Sequence, residues 1–262
     1  AINEQYLPKF AGDELPATNA GIAVALADRL DTLTGLFGIK QPPTGSKDPF
    51  ALRRASLGIL RIIIERGLNL DLKDVVAKAV SLHKDLPAAD TAAEQVTDFM
   101  LERLRAWYED KGVSIDSYLA VVAVRPTQPL DFDKRVNAVN SFKALPQAAS
   151  LAAANKRVSN ILAKNEANES ATVEASLLNQ AEEVALNNSV DSLQDRIQPL
   201  FEAGDYTNAL AELATLQADV DAFFDAVMVM DEDINVRNNR IAILAKLRAL
   251  FLRTADISLL NS

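Results

Sequence analysis

The sequence contains no cysteine and only one histidine, His83, among its 262 residues. Without thiols there can be neither disulfides nor thiolate metal sites, a composition that suits a reducing compartment. A Ser/His/Asp or Cys/His catalytic system would have to rest on His83 alone, and no G-x-S-x-G elbow accompanies it. Phosphate-cradling loops of the G-x-x-x-x-G-K-[ST] and G-x-G-x-x-G types are missing too. The one Gly-Ser-Lys triplet, Gly45 to Lys47, lacks the leading glycine. Glycine (9) and proline (10) are sparse and fall between periodic segments, and aromatic residues make up 6% of the chain. The longest unbroken apolar run, Tyr118 to Val124, is far short of a membrane span. The opening Ala1, Ile2, Asn3, Glu4 has no signal-peptide pattern, and Ala1 in place of a methionine implies a processed chain or an excised piece.

What is present is apolar, alanine- and leucine-rich and periodic at the helical spacing. With 49% apolar residues the chain can bury a sizeable core, as one large or two small all-α domains. A net charge of −9 and a pI near 4.8 argue against a general nucleic-acid binder. The charge is segregated, however. From Arg125 to Asn165 there are seven bases (Arg125, Lys134, Arg135, Lys143, Lys156, Arg157, Lys164) against two acids, and from Glu166 to Asp195 seven acids and no base. Such blocks either form a local basic surface on an acidic protein or neutralise one another as neighbouring helices.

The last forty or so residues repeat the pattern. Phe201 to Asp233 holds nine acids and no Lys or Arg, whereas Ile234 to Arg253 holds five bases and no acid. On the last helix Ile243, Leu244, Leu247, Leu250 and Phe251 share one sector, the spacing of a buried face. Arg240 falls inside that sector and Arg237 at its edge. A guanidinium within an apolar stripe must be paired, so both are expected to meet carboxylates of the acidic half or, in a functional reading, a phosphate or a base.

Further helices are expected over Thr18 to Phe37, Asp48 to Arg66, Asp71 to Lys84, Thr91 to Lys111, Ser114 to Val124, Asp131 to Lys143, Pro146 to Lys164, Leu177 to Ala203 and Asp205 to Leu216. The polar stretch NEANESATVEAS (Asn165 to Ser176) reads as a loop or protruding segment. In the second helix Asp48 is the expected N-cap and Pro49 the first helical residue, and apolar residues including Phe50 and Leu57 surround it. That makes it a central, buried helix. Arg54 and Arg61 lie two turns apart on it, roughly 10 Å along the axis, a spacing for neighbouring phosphates or for two structural carboxylates. Arg61 and Glu65 are i,i+4 partners. Along the fourth helix Val96, Met100, Leu104 and Trp107 follow the core stripe, with Trp107 and Tyr108 the alternatives for stacking on a base. Asp28 and Asp31 lie three apart on the first helix, but a hydrolytic metal site on them would normally also need histidines, and the only one in the chain is His83.

Five segments go further. YLPKFAGDELPAT (Tyr6 to Thr18), ALADRLDTLTGLFGI (Ala25 to Ile39), TGSKDPFALRRASLGILRI (Thr44 to Ile62), LAAANKRVSNILAK (Leu151 to Lys164) and VMVMDEDINVRNNRIAILAKLRALFLRTADISLL (Val227 to Leu260) resemble, in order, the C-terminal part of the β subunit of bacterial glycyl-tRNA synthetase. The resemblance implies an all-α fragment of a longer cytoplasmic chain. Residues 1–87 would be the end of an HD-like helical domain with its connecting helices, and residues 88–262 an anticodon-binding helical domain shared with arginyl-tRNA synthetase. The signature of that domain stands here as Lys156, Arg157, Val158, Asn160 and Ile161. Asp28 occupies the region of the last metal-binding aspartate of an HD domain. In such an enzyme the α subunit forms glycyl-adenylate, using ATP and Mg²⁺, and charges the tRNA, while the β subunit binds tRNA(Gly). The implied partners are thus tRNA(Gly), the α subunit and the rest of the β chain, with no membrane, no cofactor and no catalytic centre in this piece.

Anticodon loops present unstacked bases, read by stacking and edge hydrogen bonds. Glycine anticodons end in two cytosines, whose exocyclic amines donate to carboxylates or carbonyls and whose O2 and N3 accept from Arg, Lys or Asn. The residues assigned to tRNA contact are Lys134, Arg135, Lys156, Arg157, Arg237, Arg240, Arg54 and Arg61. Two other classes fit the same chain: a helical scaffold for subunit assembly without RNA contact, and an HD-type phosphohydrolase truncated at its N-terminus.

Overall fold

Alanine- and leucine-rich segments separated by well-marked caps produce eleven α-helices and three short 3-10 turns, with no strand among the described residues. The computed structural model describes residues 2–165 and 172–261, so Glu166 to Ala171 of the segment read as a loop lie outside the described residues. The chain forms two compact units: Ala1–Gly112 with Pro126–Asp133, and Val113–Arg125 with Lys134–Ser262. The expected boundary lay at residue 87. The units part later because α4 (Ala89–Asp110) buries Val96, Met100 and Leu104 against the first three helices.

In the first unit α1 (Asn19–Gly38) starts where Thr18 Oγ1 accepts from Gly21 N at 3.0 Å. The N-terminal segment, with a 3-10 turn over Glu4–Tyr6, is tied back onto it. Glu4 accepts from the amides of Ala17 (2.7 Å) and Thr18 (3.0 Å), and Arg29 donates to the carbonyls of Gln5 (2.9 Å) and Pro8 (3.2 Å). Hydrogen bonds from the Thr18 hydroxyl and from those two amides pull the Glu4 carboxyl down to about 2. The central helix α2 (Leu52–Glu65) buries Leu52, Ile59, Leu60, Ile62 and Ile63, as its sequence requires, but it starts later than expected. Ala51 takes the N-cap position at φ 55°, and Asp48 reaches over a turn to accept from Leu52 N (2.8 Å) and Arg53 N (3.0 Å). Asp48 thus satisfies the first orphan amides from outside the helix, which leaves Phe50 in the turn and half exposed. Helix α3 (Leu72–Leu82), capped by Asp71, packs on α1 and α4.

In the second unit α7 (Ala148–Lys164), α8 (Ala181–Glu202) and α9 (Tyr206–Ala214) pack around α11 (Ile234–Leu252), and α10 (Gln217–Ala226) packs on α7 and α8. All five residues assigned to the buried face of α11 are in the core. Phe142 of α6 (Pro129–Lys143) meets Phe251 edge-on, with ring centroids 6.5 Å apart. The chain end is pinned beneath α5 (Ile115–Val122): Asp256 N donates to Ala120 O (2.8 Å), and Asn261 N to the carboxylate of Asp116 (2.9 Å).

Asp116 is buried and also accepts from Lys143 Nζ at 2.8 Å. Burial alone would raise its pKa. The hydrogen bonds from Lys143, Ser114 and Asn261 outweigh that and hold the carboxyl well below the usual range. A depressed folded-state value means that the stabilisation is complete above the unfolded value of about 3.9 and is lost as pH falls below it. Urea unfolding at descending pH should therefore show Asp116→Asn losing less stability than the parent below about pH 4. Parallel pH profiles for the two proteins would contradict this.

Candidate nucleic-acid interface

The basic residues of the second unit sort into two kinds. Arg135 and Arg240 are consumed internally. Arg135 on α6 donates to Thr254 O (2.9 Å), Arg253 O and Tyr206 Oη (2.9 Å), and lies 4.3 Å from the Tyr206 ring centre. It therefore satisfies carbonyls at the end of α11, where four backbone acceptors lack helical partners. Arg240 is 3% exposed and pairs through Nε with the fully buried Glu183, while Nη1 reaches Asp231 Oδ2 (2.7 Å) and Met228 O (2.8 Å). The expected carboxylate from the acidic half is Asp231. The second one, Glu183, comes from α8.

Lys134, Lys156 and Arg157 remain on the surface. Lys134 stands apart from the other two, with its ammonium beside Gly204 at the α8–α9 turn. Lys156 has no ion-pair partner among the described residues. Arg157 lies on the Phe224 ring of α10, 4.3 Å from its centre. At 100° per residue, Arg157, Asn160 and Lys164 fall within an arc of about 60° on α7, and Ile161 borders it. Val158 faces the core and is fully buried. The signature stretch thus divides cleanly: Val158 anchors α7, and Lys156, Arg157 and Asn160 are presented outward.

This face continues onto the connector before α11. Asn165 Nδ2 approaches Met230 Sδ (3.9 Å), and Met228 and Met230 are 73% and 47% exposed. The Arg240 contact with Met228 O fixes that connector. Arg237 is half-buried, with no side-chain hydrogen bond or ion pair among the described residues, so the expected carboxylate partner is not found there. Phe224, Met228 and Met230 were not foreseen as part of a surface. The available signal was a second aromatic beside the core Phe223 and two methionines at alternate positions outside any helical stripe.

The arrangement offers flat and polarisable groups beside fixed cations. A guanidinium already lying on an aromatic ring loses little freedom when a base stacks on its other side. The lysines at either end of the face reach phosphates as point charges. Carboxylate and amide acceptors lie along α7 and α10.

Arg54 and Arg61 belong to the first unit. Arg61 pairs with Glu65 (2.8 Å) and donates to Asp13 O (3.1 Å), so the i,i+4 pair is formed, and Arg54 is exposed with no ion-pair partner among the described residues. The lone histidine, His83, closes α3. Its Nε2 lies 2.9 Å from Thr34 Oγ1 and 3.5 Å from Asp31. Among the described residues no group of three or more His, Cys, Asp or Glu side chains is arranged to hold a metal ion, and no helix is long and apolar enough to cross a membrane.

Comparison with known proteins divides the chain similarly. Residues 1–123 match the family described as glycyl-tRNA synthetase beta subunit, and residues 151–257 match the DALR anticodon binding domain. Over 261 residues the chain is 57% identical to the glycine–tRNA ligase beta subunit of Photorhabdus laumondii, covering 100% of this chain and 38% of that protein. The beta subunits of Escherichia coli O1:K1 and Shigella boydii serotype 18 are each 55% identical over the same length, again with 38% of their length covered. The chain therefore spans little more than a third of these relatives.

Proposed function

The chain belongs to the glycyl-tRNA synthetase beta-subunit family, and from that membership we propose that its second unit reads the anticodon of tRNA(Gly). The observation that carries the reading is the exposed face of α7: Lys156, Arg157 on Phe224, Asn160 and Lys164 project together from within the residues that match an anticodon binding domain.

The α7 cations engage the loop phosphates, an unstacked base lies on the Arg157–Phe224 pair, and Asn160 offers amide hydrogen bonds to a cytosine edge. Binding in this way holds the tRNA for aminoacylation by an α partner in the cytoplasm, with ATP and Mg²⁺ chemistry supplied by that partner. Lys134, on its separate surface, meets the flanking phosphate backbone. Arg135 and Arg240 serve the site indirectly, the first by closing α11 and the second by fixing the methionine connector.

Three phosphate contacts to a single-stranded loop give a slope of about −2 in log affinity against log salt, or about a 20-fold loss between 50 and 200 mM. Titration of a fluorescent tRNA(Gly) at those two concentrations tests the reading. Salt-insensitive association, or none, would favour a scaffold that holds only protein.

A further inference from the structure

The first unit carries a groove of about 1020 Å³ between α2 and α4 that anticodon reading does not use. Arg54 and Arg61 line it from α2, Arg103 and Trp107 from α4, and the exposed ring of Phe10 closes one end. Two guanidinium atoms here are buried without a hydrogen-bond acceptor among the described residues: Nη1 of Arg61 and Nε of Arg103. Buried charged donors rarely go unmatched, because each forfeits its hydration. Arg61 is held by Glu65 and Asp13 O, whereas Arg103 lies over the Phe99 ring, 5.1 Å from its centre, and pairs with the exposed Glu102. Arg54 stands beside them on α2, exposed and unpaired among the described residues.

The groove is not uniformly basic, which narrows what fits it. Glu102 and Asp110 lie on its α4 wall with the arginines, next to Trp107. An inorganic anion would meet these carboxylates with nothing to offer them, and an acidic peptide would add carboxylates of its own and bring no flat base to Trp107. A nucleotide is anionic at one end and carries hydroxyl and amine donors at the other, with a flat base between. We infer that this groove binds a nucleotide unit, with its phosphate on Arg54, Arg61 and Arg103 and its base against Trp107. The same chemistry arises from a nucleotide within an RNA strand and from a free mononucleotide. The groove belongs to the first unit and the α7 face to the second, so its existence does not depend on anticodon reading.

Trp107 is the sole tryptophan of the chain, which makes intrinsic fluorescence a local reporter of the groove. The chain would be titrated with AMP and, separately, with a tRNA(Gly) transcript, in a Lys156→Glu/Arg157→Glu background so that RNA held on α7 does not contribute. Saturable quenching by either ligand is expected, with half-saturation shifted at least tenfold by Arg54→Glu and less by Arg54→Gln. Circular dichroism should be unchanged, since Arg54 is exposed. Quenching by AMP identifies a free nucleotide as sufficient, and quenching by RNA alone places the unit within a strand. Absence of saturable quenching with both ligands, or the same half-saturation in parent and Arg54→Glu, would overturn the inference. Anisotropy of a labelled anticodon loop on the unmutated chain is read independently, so failure at one site is told apart from failure at the other.

Discussion

Replacing Arg240 by methionine should destabilise the protein by about 3–5 kcal/mol, the usual cost of removing one partner from a buried ion pair. Glu183 has no exposure and would lose the guanidinium that pairs with it. Its remaining donors, Asn179 N at 2.8 Å and Gln180 N at 3.5 Å, are backbone amides at the start of α8 and cannot compensate a full charge. The melting temperature should fall by roughly 10 °C for a chain of this size. Adding Glu183→Gln removes the stranded charge and should restore part of the loss. Urea unfolding of the two variants distinguishes the cases: equal stability of Arg240→Met and the parent would show that the pair contributes nothing. A second effect follows from position. Arg240 also holds Met228 O and Asp231, so the single variant should loosen the connector that extends the α7 face.

Reversing charge at Lys156 and Arg157 together should weaken binding of an anticodon stem-loop by about 100-fold at low salt while leaving the fold intact. Both side chains are exposed, and neither has an ion pair among the described residues, so no buried partner is stranded. Lys156→Glu should change stability by no more than about 0.5 kcal/mol. Arg157→Glu gives up the contact with Phe224 and should cost up to about 1 kcal/mol. The salt slope should fall by between about 1 and 2, because two cations no longer displace counterions. Titration and thermal melts on the same preparation check both halves. Unchanged affinity would remove these two residues from the interface.

The sequence made the helices legible wherever caps and periodicity agreed, as at Thr18, Asp71 and the α11 core stripe. It misplaced the start of α2 because a carboxylate can cap a helix from a preceding turn as well as from the N-cap position. On α4 both the i+3 and the i+4 position after Leu104 are aromatic. Tyr108 took the core place, bonding to Asp133 at 2.9 Å and stacking on Phe132, which turned Trp107 toward the groove. Arg240 betrayed its burial by standing in an apolar stripe, yet Glu183 was invisible as its partner because that pairing depends on how α8 packs against α11. Arg135 read as part of a basic patch for a similar reason: helix-end carbonyls are acceptors with no sequence signature. Composition alone also could not separate a basic block that forms a surface from one that is neutralised. In the structure it does both, residue by residue.

The most direct test compares two labelled anticodon stem-loops on the unmodified chain by fluorescence anisotropy, one with the glycine anticodon and one with both cytosines replaced. Reading of base edges on the α7 face predicts tighter binding of the cytosine loop, by roughly 1–3 kcal/mol for each base read, with both affinities falling as salt rises. Equal affinity for the two loops would contradict anticodon reading and leave the cations of α7 as a non-specific phosphate surface.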